Sequence, residues 1–292
     1  MKKMGLIIIG LLLCLIITVP CMAGEDERDI LADEPDSTYL DSLKKARIRD
    51  QQESFEHFYE VKREEVIPHL SDYIESLSDT MSARRESAVS NLGLSQVQSV
   101  IPYIEQLLLE DPVGNVREQC ARSLGLLKSY NSQPHLIEAL NDSVKKVRLH
   151  SALTLASLGD TTYCMPVLEK LWETEGLKTR HIIIKGFADV GTEKAIQILQ
   201  NALKDEVPRI AVSAAIRLSE LGYGEYAFPV LENFLKHSDK HIRSSAIRGL
   251  AEIGNAASLR LIKSMLNNES PFVRQYTRTL LQSYFNIEVP KN

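Results

Sequence analysis

Six arginines hold the most conspicuous chemistry of this chain. Arg85, Arg117, Arg148, Arg180, Arg243 and Arg274 occupy one place in a recurring pattern, with Ala211 at the remaining place, and successive members are 31 or 32 residues apart. A guanidinium presents five donors in a rigid fork that fits carboxylates and phosphates. Such a row is either an anion-binding stripe or a set of struts joining acidic or carbonyl groups of neighbouring repeats. Ala211 loses the guanidinium, yet Arg209 sits two residues away. The row follows the repeat itself, so the structural reading is expected.

Other candidate groups are sparser. His237 and His241 stand four apart with Asp239 between them. On one helix two such histidines would face one metal. His237 falls at a repeat junction, however, and no third ligand is evident, so no metal site is expected. Cys14 and Cys21 lie near the N-terminus, leaving Cys120 and Cys164 in the body. An exported chain could bridge these two. Both occupy places held elsewhere by Ala or Ser, which predicts buried free thiols. The chain has no Gly-rich phosphate loop and no nucleophile elbow. Its net charge of -5, pI near 5.9 and lack of aromatics interleaved with a basic stripe argue against nucleic acid. No cofactor and no catalytic constellation are evident, so a non-enzymatic role is expected.

The elements that would position these residues follow from the repeat. Six positions before each arginine place stand Asp79, Asp111, Asp142, Thr174, Asp205, His237 and Asn268. These read as helix N-caps, with Pro112 at N1. Seven positions after it stand Leu92, Leu124, Leu155, Phe187, Leu218, Leu250 and Leu281, and eleven after it four repeats carry Gly159, Gly191, Gly222 and Gly254. A glycine there is a helix C-cap signal. A second helix then opens at Pro102, Pro134, Pro166 and Pro229, with apolar residues two, five and six positions later. Helix, turn and helix thus recur about seven times. One pair cannot bury its own apolar face, but a stack can. The predicted fold is an all-α solenoid of stacked helix-turn-helix units over residues 65–292.

The pattern D-x-x-x-x-V-R-x-x-x-A-x-x-L-x-x-L-G, followed by P-x-L-x-x-L-L, resembles the HEAT-repeat family, in its short-period form first noted in phycobilisome lyases. The ends depart from it. "IPHLSDYIESL" reads as a lone second helix, and "VRQYTRTLLQSYF" has no second helix after it. Terminal repeats of solenoids are atypical in this way. HEAT-like families include iron hydroxylases, whose metal is held by His-Glu pairs. No histidine here is followed by Glu, so that chemistry is not expected. The family also includes chromophore lyases, which leaves a lyase-like or enzyme-associated role as the alternative.

The N-terminus reads separately. Lys2 and Lys3 precede the apolar run of residues 5–20, and Cys21 and Ala23 are small residues at -3 and -1 of a cleavage site. This predicts a signal peptide over 1–23 and an exported protein of the periplasm or cell envelope. Two alternatives stay open. Cys21 could be lipidated, although Pro20 fits a lipobox poorly, or the run could be kept as an anchor, although it is shorter than the roughly 20 residues that span a bilayer. Contact with a membrane would then be through this segment alone. Residues 24–64 read as an acidic linker followed by one polar helix.

The remaining surface is that of the second helices, expected to line the concave side. The residues three and four after each proline place should face outward, ending at Lys263 and Ser264. Tyr103, Glu105, His135, Glu138, Glu169 and Glu232 are the candidate partner-binding residues. Acidic groups lead among them, which suits a protein segment of basic character. The expected function is a non-catalytic interaction scaffold.

Overall fold

The computed structural model describes residues 36–289. The signal-peptide reading of 1–23 and the linker that follows it lie outside the described residues. Among those described there is no strand, and no helix is long and apolar enough to cross a membrane.

The all-α expectation holds. The chain opens with a 30-residue helix, α1 (Ser37–Val66). The first helices of the repeats are α3 (Ser82–Leu94), α5 (Gly114–Leu126), α7 (Lys145–Ser157), α9 (Leu177–Val190), α11 (Pro208–Glu220), α13 (Lys240–Ile253) and α15 (Pro271–Phe285). The second helices are α2 (Leu70–Ser76), α4 (Ile101–Glu110), α6 (Gln133–Ala139), α8 (Cys164–Thr174), α10 (Glu193–Ala202), α12 (Gly224–Phe234) and α14 (Ala256–Ser264). As expected, α2 is a second helix alone and α15 has no second helix behind it within the described residues.

Each first helix packs on the next through small residues. A side chain at Gly93 would come within 2.6 Å of Ser123 Oγ. The Ser123 hydroxyl donates to the Val89 carbonyl of the preceding first helix at 3.0 Å, and Thr154 donates to Ala121 at 2.9 Å. Leucines one turn away, Leu92, Leu124, Leu155, Leu218 and Leu250, are wholly buried, as is Phe187 in the same place. Phe187 meets Trp172 edge to face at 5.7 Å. Cys120 and Cys164 are buried free thiols at the small-residue places. Burial, with Asp160 beside it, pushes the Cys164 thiol up to about 12.

The capping assignment needs correction. Each first helix begins about two residues later than expected, so Pro112 precedes α5; among the second helices, Pro229 lies inside α12 rather than opening it. The Asp side chains instead close a tight turn onto the amide two residues on: Asp111 Oδ1 accepts from Val113 at 2.8 Å and Asp142 Oδ1 from Val144 at 2.7 Å. Thr174 is the last residue of α8, and its hydroxyl donates back to Lys170. The turn uses only part of each carboxylate, and the arginine of the preceding repeat takes up the rest of Asp111 and Asp142.

Those arginines are the struts. Arg85 Nε and Nη2 donate to the two carboxylate oxygens of Asp111 at 2.6 and 3.0 Å, and Arg117 does the same to Asp142 at 2.6 and 2.8 Å. Arg180 reaches Asp205 through Nη2 alone, and its Nε has no hydrogen-bond partner. The Nη1 of each of Arg85, Arg117, Arg148, Arg243 and Arg274 also donates to the carbonyl six residues before it. Where the next repeat has Thr174 or Asn268, Arg148 keeps carbonyl bonds only and Arg243 Nε has no hydrogen-bond partner. Burial alone would raise the Asp111 and Asp142 carboxyls, but the guanidiniums and turn amides outweigh it and hold both below the usual carboxylate value.

The turn between first and second helix needs one left-handed residue. Gly159, Gly191, Gly222 and Gly254 supply it with φ of 63 to 90°, and at the same place in the first two repeats Gln96 and Lys128 adopt φ of 57° and 50°.

Helix α1 joins the two ends of the stack. It packs against α15 and against α3. Its residues 40–47 and 59–66 are partly or wholly covered at intervals, whereas all of 48–58 is exposed. From Leu40 to Val66 a helix spans about 40 Å. The N-terminal contact is specific. Arg47 donates to both oxygens of Glu252 at 3.1 and 2.7 Å and lies 3.9 Å over the Tyr284 ring. Tyr284 donates to Glu252 Oε1 at 2.8 Å, and Lys44 donates to the Glu252 carbonyl at 2.8 Å.

Candidate protein-binding surface

The second helices carry ten Asp and Glu against four Lys and Arg. All six candidate residues sit on them, on α4, α6, α8 and α12. Two are brought together across adjacent repeats. Ser132 donates to Glu105 Oε1 at 2.6 Å, and His135 Nδ1 lies 3.4 Å from the same oxygen without hydrogen-bond geometry. Glu105 is thereby drawn into the seam between α4 and α6, and a cleft of about 470 Å³ opens beside it, lined by Pro102, Lys128, Tyr130 and Asn131.

The other candidates stand apart. Glu169 pairs with Lys194 of the next repeat at 2.7 Å, while Glu138 and Glu232 are exposed. Tyr103 is 47% exposed, and three further tyrosines, Tyr130, Tyr163 and Tyr226, are open on the turns and starts of second helices. The sequence reading missed these three: Tyr163 and Tyr226 share one register position, fifteen residues after the arginine place, but Tyr130 does not, and no tyrosine recurs there in the other repeats. Lys263, expected to face outward, is buried in α14. Tyrosine offers large apolar area and a polar tip, which suits a protein interface.

The remaining chemical candidates are used locally. His237 Nδ1 accepts from the Asp239 amide at 3.0 Å, and Asp239 Oδ1 accepts from the His241 amide at 2.8 Å. Among the described residues no group of three or more His, Cys, Asp or Glu is placed to hold a metal ion. The residues present therefore do not fit a hydroxylase-type iron centre.

Comparison with known proteins agrees with this geometry. The family model of HEAT repeats matches residues 133–220 and 209–281. A deoxyhypusine hydroxylase of Candida albicans is 25% identical over 226 residues, covering 74% of this chain and 68% of that protein. The bilin biosynthesis protein PecE of Nostoc sp. is 28% identical over 176 residues, covering 53% of this chain and 68% of that protein. The solved complex of CpcE and CpcF of phycocyanin lyase from Nostoc sp. is similar in fold, with a TM-score of 0.50 and 22% identity over 72% of this chain and 93% of that one. These names correct the expectation of a role unconnected with enzymes: the curated relatives are named for enzymatic work, which points to an enzyme-related function. Helix pairs stacked at a 31–32-residue period, over half of the chain matched by the family model, make this chain a member of the HEAT-repeat family.

Proposed function

We propose that the chain is an enzyme-associated HEAT-repeat protein that works bound to a protein partner, with the second-helix face as one docking surface. The observation that carries this reading is the pair of curated relatives, both named for enzymatic work, set beside a chain whose chemical side chains are mostly engaged in holding repeats together. The solved relative CpcE is itself found in a complex with CpcF. The acidic second helices and their exposed tyrosines favour a partner segment of basic character. Export to the periplasm or cell envelope belongs to the same proposal and stands on Lys2, Lys3 and the apolar run alone.

Capture from the native source with cross-linking tests it. The expected result is an enzyme or enzyme subunit cross-linked to residues near Tyr103, Glu138 or Glu232. A chain that co-purifies with no protein overturns the reading. Mass spectrometry of the mature N-terminus tests export: a chain beginning at Gly24, or a lipidated Cys21, supports it, and an intact cytoplasmic chain beginning at Met1 refutes it.

A further inference from the structure

The two helix layers carry opposite charge. Against the acidic second helices, the first helices hold seventeen Lys and Arg and five Asp and Glu. Of the strut arginines, Arg85, Arg117 and Arg180 are neutralised by carboxylates in the seams, and the others are held by carbonyls or sit near Glu269. A different set is not. Lys146, Lys178, Arg209 and His241 each occupy the second position of four consecutive first helices, at steps of 31 or 32 residues. All four are exposed. Lys146 is 65% exposed and approaches Glu118 only at 3.8 Å, and Lys178 and Arg209 make no ion pair among the described residues.

His241 meets the Phe272 ring of the next first helix edge on at 5.2 Å, but neither helix stability nor stacking explains the cations Lys146, Lys178 and Arg209. The first turn of a helix favours negative side chains, because the backbone N–H groups and the macrodipole are positive there. None of these four helices has an acidic residue in its first turn. The field they make is felt nearby. Burial, then Arg209 and Arg217, hold the His181 imidazole below its usual range.

We propose that this row on the first-helix layer is a docking face for an extended acidic segment of a partner protein. The spacing fits. Packed helices lie about 8–10 Å apart, and an extended chain rises about 10 Å in three residues. A segment with an acidic residue at every third position would therefore meet Lys146, Lys178, Arg209 and His241 in turn. A protein segment fits better than nucleic acid. The face is one row wide, no aromatic ladder accompanies it for base stacking, and the opposite layer is acidic, which repels a polyanion that wraps around the stack. The inference deepens the reading of the chain as a partner-binding protein by naming a second face and its complement.

The test uses the purified full chain, so it reports on the face whether or not a native partner is ever captured. A fluorescently labelled peptide with glutamate at every third position is titrated in low salt. The variant Lys146→Glu/Lys178→Glu/Arg209→Glu is compared with Lys170→Glu/Lys194→Glu/Lys204→Glu, which changes net charge equally on and beside the second helices. Glutamate in the first turn favours a helix, so the first variant should melt no lower than the parent. The expected result is a loss of affinity of about tenfold or more for the first variant and less than about twofold for the second, as local charge complementarity requires. Equal losses, or no binding by the parent, would overturn the proposal. So would tighter binding of a single-stranded oligonucleotide of equal charge to the same residues.

Discussion

Removing the carboxylate of Asp142 tests how the stack is held. Asp142 accepts from Arg117 Nε at 2.6 Å, Arg117 Nη2 at 2.8 Å and the Val144 amide at 2.7 Å. The two side chains of the pair are only 11% and 10% exposed. Asp142→Ala leaves the turn amide and two guanidinium donors without an acceptor, with Arg117 still held in place through Nη1 by the Asp111 carbonyl. Breaking one side of a buried pair costs about 3–5 kcal/mol. Because both side chains retain a little solvent, the lower part of that range, about 3 kcal/mol, is expected here. The matched control is Arg148→Ala. Arg148 has no carboxylate across the seam and only carbonyl acceptors, so its loss should cost about 1 kcal/mol, a typical net hydrogen bond to a charged donor at a part-exposed site. Urea melts followed by circular dichroism give both values from midpoints. Equal shifts in the two variants, or a shift below about 0.5 kcal/mol for Asp142→Ala, would refute the claim that Arg-to-Asp rungs carry the stacking.

Leu155→Ala, at a wholly buried mid-stack site, should cost roughly 2–5 kcal/mol, and Glu169→Ala, on the surface, within about 0.5 kcal/mol; equal costs in denaturant would mean that the faces are misassigned. Lys128→Gly should raise stability by about 1 kcal/mol, since Lys128 holds a left-handed conformation that glycine adopts without strain; a lower midpoint would contradict this. Arg47→Ala should release the N-terminal half of α1, read as faster amide exchange over 37–47 with the repeats unchanged, and protection equal to the parent would show that the Glu252 contact does not hold α1. Acid should weaken the fold in two windows. Burial and the nearby Arg122 lower His150 to about 4, so the unfolded chain binds the proton more readily and stability falls between about pH 6.5 and 4. Asp111 and Asp142 are depressed below their unfolded value, so their contribution is complete above about pH 4 and lost as pH falls further. His150→Gln should flatten the upper window alone in pH-dependent melts.

The repeat was readable because stacking forces one register on every unit. Leu92 through Leu281, the small sites at Cys120 and Cys164, and the left-handed glycines each recur at the places packing demands. The caps were misread because an Asp before a helix looks the same whether it binds the amide two or three residues on. Only the seam shows that Asp111 and Asp142 also receive an arginine from the preceding repeat. The docking of α1 was not legible at all. Lys44 and Arg47 meet Glu252, more than 200 positions away, and no period links such partners. The cation row escaped notice for the opposite reason: it repeats in perfect register, but beside a more obvious arginine row. The candidate face was readable in outline, as acidic second helices, while the seating of Glu105 against Ser132 and the burial of Lys263 depend on contacts between repeats.

The proposed role, serving an enzyme through a bound partner, has a direct readout in that partner's activity. Turnover of the captured partner, measured alone, with the full chain, and with a Glu138→Lys/Glu232→Lys variant on the second-helix face, tests it most directly. The expected result is turnover that depends on the chain and is diminished by the variant while the melt stays unchanged. Turnover indifferent to the presence of the chain would contradict it.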